Sequence, residues 1–136
     1  MTLTLSVAAG WWDHVVAVAR SYPHLVPVVK GNGYGFGRNE LAHVAAALLT
    51  DRADDALPPT IAVGTAHELA AVADLPAPVR THVLTPALAA ETAAIAAHPT
   101  PVVATIAAVA DVAPLAALDD VSAVVKLRSS MRRFGV

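Results

Sequence analysis

Residues 25–37 read LVPVVKGNGYGFG. An apolar run ends on a single lysine, Lys30, and glycines at 31, 33, 35 and 37 then alternate with Asn32, Tyr34 and Phe36. A β-branched run bounded by glycine is a strand signal, so residues 25–30 are the first predicted strand. The glycines behind it permit positive φ and let backbone approach a ligand closely. They are not a nucleotide fingerprint. Dinucleotide binding needs G-x-G-x-x-G and an acidic residue near the end of the second strand, where TIAVGTA stands instead. A phosphate-binding loop of the Gly-Lys-Ser/Thr kind is missing as well.

Working outward, residues 7–21 carry Trp11, Val15, Val18 and Ala19 at helical spacing and predict a helix before that strand. Residues 38–49 predict a helix, and residues 50–59, with Asp54 and Asp55, a polar surface loop. Strands follow at 60–64, 81–85, 101–106 and 121–127, separated by helical stretches at 66–73, 87–98 and 107–118, the last kinked or split by Pro114. The strands are continuous apolar runs, as in a parallel sheet covered on both faces. Regular βα alternation means βαβ units, either an open doubly wound sheet or part of a (β/α)₈ barrel. A closed barrel needs about 250 residues, so five strands in a chain of 136 make an unfinished one.

Composition narrows the function. The net charge of −2 argues against a nucleic-acid partner, which would need a basic face. There is no cysteine, hence no disulfide framework and no cysteine-based zinc site, which agrees with a cytoplasmic setting. Residues 92–110 are uncharged and long enough to span a bilayer, but His98, Pro99 and Pro101 interrupt them. They read as helix end, turn and strand, and no membrane partner is expected. The six histidines, 14, 24, 43, 67, 82 and 98, are scattered one per element without metal-ligand spacing and read as surface or structural groups; no metal site is expected. Trp11 and Trp12 read as packing residues.

Lys30 has two readings. A lysine at a strand end can bring its ammonium to water while its stem packs. At the C-terminal mouth of a barrel strand it would instead point into an active site, where partial desolvation frees the amine for Schiff-base chemistry. Lys126, late in the last predicted strand, would share that rim. Tyr34 supplies a neutral hydroxyl donor of the kind that binds phosphate.

The stretch VVKGNGYGFG closely resembles the pyridoxal-phosphate lysine motif of alanine racemases, which reads close to VVKANAYGHG. A second stretch, VVKLRSSMRRFGV, is similar to the family's KxDTGMxRxG, with Lys126, Met131, Arg133 and Gly135 in register. Between them, IAVGTAHEL looks like the family's second-strand segment with its glutamate at Glu68, and residues 3–20 fit the helix before the first strand. The resemblance implies a partial (β/α)₈ barrel of about five parallel strands with intervening helices, residues 1–136 being an incomplete N-terminal barrel domain. It implies pyridoxal 5′-phosphate as cofactor and interconversion of L- and D-alanine, supplying D-alanine for the cell wall. Lys30 would carry the cofactor as a Schiff base and serve as one of two proton-transfer bases. Tyr34 would bind the phosphate and Arg133 the phenolic oxygen of the ring. Lys126 matches a lysine that is carbamylated in many members. A homodimer is implied for the full-length protein, with the opposite catalytic tyrosine coming from a separate C-terminal domain of the other subunit.

Departures from the pattern include Arg128 where aspartate is usual, Ser130 where glycine is usual, and Phe36 where histidine commonly follows Tyr-Gly. Arg128 reverses a charge beside the Lys126–Arg133 pair. Another racemase or decarboxylase of the same barrel, or a non-catalytic relic that binds the cofactor, are the competing expectations.

Overall fold

The computed structural model describes residues 4, 6–22, 24–51, 58–130 and 132–136. Asp54 and Asp55, and Met131 of the second motif, lie outside the described residues.

The first helix, α1 (Trp11–Ser21), is shorter than the predicted 7–21 because Gly10, at φ 79°, turns the chain into it. After the lysine-bearing segment comes α2 (Arg38–Thr50), followed by β1 (Thr60–Val63), a seven-residue 3-10 helix (Ala66–Val72) and β2 (Arg80–Pro86). A short 3-10 turn and α3 (Thr92–Ala96) lead to β3 (Val102–Ile106); another such turn and α4 (Val112–Ala116) lead to β4 (Val121–Val125). Predicted helices 87–98 and 107–118 are thus each a 3-10 turn joined to five α-helical residues. Pro114 sits third in α4, within the first turn, where a missing N–H is tolerated, so the break falls before it. The uncharged stretch 92–110 is helix, turn and strand as expected, and among the described residues no helix is long and apolar enough to cross a membrane.

The strands form one parallel sheet in the order β1-β2-β3-β4. One register line runs Ile61, Thr81, Val102, Val121, and the next runs Ala62, His82, Val103, Ser122. Residues 25–30 extend this sheet less fully than predicted. They add an isolated parallel bridge, Val28 to Ala62, in which Val29 N–H donates to Ala62 O and Ala62 N–H donates to Pro27 O, both at 2.8 Å. Pro27 offers no N–H of its own, which limits the ladder at that end.

Side chains alternate across a strand, and here the alternation separates a core face from an open one. Val29, Ile61, Val63, Val83, Val102 and Ala104 pack with Ala42, Ala45, Ala46 and Leu49 of α2 and with Leu69, Val72, Ile95 and Leu115. Alanine on α2 lets the helix lie close to the sheet. The opposite face carries Lys30 and His82 and is less covered, most of all along β4, where residues 122–125 are exposed. That differs from the expectation of two covered faces.

A repeated device fastens the C-terminal rim. After β1, Glu68 Oε2 accepts from Gly64 N–H at 2.5 Å; after β2, Glu91 Oε2 accepts from Leu88 N–H at 3.0 Å; after β3, Asp111 Oδ2 accepts from Ala107 and Ala108 N–H, both at 2.9 Å. Each carboxylate satisfies backbone donors left free at a helical start.

Candidate functional site

Lys30 lies at the end of the first extended segment, on the rim where the parallel strands end, and it is exposed. Its neighbourhood is held from several directions. Gly33 N–H donates to Lys30 O at 3.2 Å. A Cβ on Gly64 would stand 3.2 Å from the Lys30 Cβ, so the bare glycine at the end of β1 makes room for the lysine stem.

The loop behind it turns through a 3-10 segment, Gly33–Gly35. The Asn32 side chain accepts from Gly35 N–H at 3.1 Å, and Phe36 N–H donates to Gly33 O at 3.0 Å. Tyr34 takes φ 56° and ψ 26°, left-handed and uncommon for a bulky residue. Its side chain is 57% exposed, so the turn delivers a phenol to solvent rather than to the core. Phe36 faces the other way and stacks on Trp11, with ring centroids 5.1 Å apart and planes 11° from parallel. Trp11 in turn tilts against Trp12 at 5.7 Å, so the aromatic at position 36 anchors the loop to α1 through Trp11, while Trp12 itself is exposed.

Lys126 leaves the sheet on the same rim, its N–H donating to Ile106 O at 2.8 Å. Four strand spacings separate it from Lys30, roughly 19 Å along the sheet. The chain beyond it folds back: Val136 N–H donates to Lys126 O at 3.1 Å and Arg128 N–H to Val136 O at 3.0 Å. The Lys126 Nζ stands 5.8 Å from the centroid of the Phe134 ring, a cation–π distance. Arg133 is exposed, and among the described residues it makes no hydrogen bond or ion pair; it is not brought onto Lys126.

Two residues that sequence reasoning did not place in the site sit at its base. Glu68 Oε1 accepts from Gly31 N–H at 2.8 Å, and Arg38 Nη2 lies 3.3 Å from that oxygen while donating to Gly31 O. Glu68 had appeared only as one matching position in IAVGTAHEL. The available signal was an acid following each strand at a similar offset, Glu68, Glu91 and Asp111.

The histidines are exposed or partly buried, but the expectation that the structural ones are satisfied fails at His98, whose buried Nε2 has no hydrogen-bond partner among the described residues. His82 is half-buried and bonds Thr105 Oγ1 at 3.0 Å, while Thr105 donates to Val83 O at 2.6 Å; the hydroxyl proton is committed there, so His82 Nε2 is the donor. Burial lowers the pKa of His82 and of His98 from the usual 6.5. His43 pairs with Asp74 at 3.6 Å and His67 with Glu91 at 3.8 Å, but among the described residues no cluster of three or more groups could hold a metal. A cavity of about 360 Å³ lined by His24, Thr60, Arg80 and His82 lies at the opposite, N-terminal ends of the strands. It is a concavity of the open sheet face, at the end that in barrels serves stability rather than chemistry.

The residues on the rim fit pyridoxal phosphate in kind. An exposed amine suits an aldehyde, and a phenol beside a glycine-rich turn suits a phosphate. A Cβ on Gly31 would meet nothing within 4 Å, so space is open directly beside the lysine.

A parallel sheet with helices between its strands and a helix before the first defines the class: a partial, barrel-type α/β domain. The profile of the family described as alanine racemase, N-terminal domain, matches residues 11–136, and the chain belongs to that family. No curated protein and no solved structure matches it significantly.

Proposed function

We propose that this chain is the lysine-bearing barrel portion of a pyridoxal-phosphate-dependent isomerase that interconverts L- and D-alanine. The observation that carries the reading is Lys30 on the C-terminal rim, next to a turn that spends left-handed backbone to present Tyr34. Lys30 attaches the cofactor through its amine and moves the proton on one face of the substrate α-carbon. Tyr34 holds the phosphate through its hydroxyl. Arg133 reaches the phenolic oxygen once the rim is complete, its fork of donors suiting an oxyanion. When bound, the cofactor supplies the electron sink that eases loss of the α-proton. The further strands of a barrel, the opposite proton donor and the second subunit of a dimer come from outside these residues in this reading.

Lys30 and Lys126 are the only lysines in the chain, which makes the test direct. Incubation with pyridoxal phosphate followed by borohydride reduction should fix the cofactor on Lys30 in preference to Lys126, and Lys30→Ala should remove that product. Equal labelling of both lysines would sink the reading. Exchange of the α-proton of alanine for deuterium, compared across several amino acids, then separates a racemase of alanine from a relative acting on another amino acid.

The exposed, unpartnered Arg133 favours one second reading, in which this chain binds the cofactor without turning over substrate. Fixation on Lys30 without exchange in any amino acid would select it.

A further inference from the structure

Gly31, the residue after Lys30, has both its backbone N–H and its backbone C=O held by side chains from elsewhere in the chain. Gly31 N–H donates to Glu68 Oε1 at 2.8 Å, and Gly31 O accepts from Arg38 Nη2. The same carboxylate reaches across to Gly64 N–H at 2.5 Å, so it ties the end of β1 to the end of the lysine-bearing segment. Arg38 and Glu68 are 3.3 Å apart, with side chains 24% and 16% exposed. A partly buried ion pair stabilises little by itself, because desolvation offsets attraction. Its value here is directional, since the two charged groups hold the peptides on either side of the Gly31 Cα and nothing packs on the open side of Gly31. Gly31 itself takes φ +67°, a backbone with wide freedom when released.

The geometry points to Arg38 and Glu68 as positioning residues for Lys30, fixing the angle at which its amine leaves the rim. This rests on the reading of Lys30 as the cofactor-attaching amine. Arg38 neutralises Glu68, so the clamp adds no net charge beside that amine. Misplacing a reacting group by about 1 Å can cost on the order of a hundredfold in rate, so the consequence appears in the reaction step rather than in cofactor affinity.

The test is the initial rate of pyridoxal phosphate fixation on Lys30, followed against cofactor concentration by peptide mass after borohydride. Glu68→Gln and Arg38→Met should lower the saturating rate about tenfold or more while changing the half-saturating concentration little. Tyr34→Phe should do the reverse. Arg38→Lys keeps a cation without the fork and should fall between, which preserves the comparison if the harsher variants lose their fold. Native saturating rates on Lys30 in folded Glu68→Gln and Arg38→Met would overturn the inference. Hydrogen exchange at the Gly31 amide is read in parallel and needs no cofactor. It should accelerate in Glu68→Ala, which removes the acceptor, and unchanged protection there would overturn the clamp. If the unaltered chain fixes no cofactor on Lys30, the proposed function fails, and the Gly31 amide still decides whether the clamp exists.

Discussion

Gly33 shows how tightly a single position is determined. It is buried at φ +66°, and a Cβ there would meet Arg38 N at 2.8 Å and Arg38 Cα at 3.0 Å, backbone atoms that cannot swing aside. Gly33→Ala should cost about 1–3 kcal/mol, combining left-handed strain with a backbone clash. Urea unfolding of the variant against the parent measures it, and an unchanged midpoint would mean the turn relaxes freely. Lys30 and Tyr34 stand out as candidates in the sequence because they sit four residues apart in one short motif. Arg38 and Glu68 were not, because their meeting spans 30 residues and depends on how α2 and the helix after β1 lie on the sheet. Local pattern carries no record of such a meeting.

Among the elements, the strands were the most legible, since continuous apolar runs between glycine, proline and polar residues have few alternative readings. Helices were less so. Alanine-rich stretches predicted a helix at 87–98 and one kinked or split by Pro114 at 107–118, whereas each begins as a 3-10 turn around an acid that bonds backward to the strand end. Helical propensity is a weak prior, and a side chain that captures backbone N–H groups can override it. The pairing of β2 with β3 through His82 and Thr105 has a pH signature. His82 and His98 titrate lower in the folded chain than the ordinary 6.5, so the unfolded chain binds more protons just below that value. Stability therefore rises with pH through the window below 6.5 and falls as the solution is acidified through it. Unfolding midpoints taken between about pH 7.5 and about pH 5 should show this decline, and the doubly substituted His82→Asn, His98→Asn chain should decline less. Parallel slopes in the two proteins would refute the assignment.

At the scale of the whole molecule, both margins of the sheet are unpaired or nearly so among the described residues. The lysine-bearing segment makes a single bridge, and beyond β3 the strand β4 exposes Val124 at 43% and Val125 at 56%, with Leu127 at 73% just after it. Open apolar edges template association with other chains. Val125→Lys should therefore reduce self-association of this chain, seen as a smaller weight-average mass by light scattering at equal concentration, with little change in helical circular dichroism. An unchanged mass would place the sticky surface elsewhere. The sequence made the open architecture foreseeable from strand count alone, but not which face would be left bare, because apolar runs look the same on both sides of a strand.

The inward-turned carboxylates of the rim have a consequence for how a ligand arrives. Glu68, Glu91 and Asp111 have oxygens committed to backbone N–H groups of their own loops. Lys30, by contrast, is exposed on that rim, and exposed arginines 128, 132 and 133 follow Lys126. A chain of net charge −2 thereby keeps a locally positive approach at one end. Such a field draws anions in from beyond contact range, and ionic strength weakens it over a Debye length of about 8 Å at physiological salt. The speed with which any anion reaches this rim is then slowed by added salt.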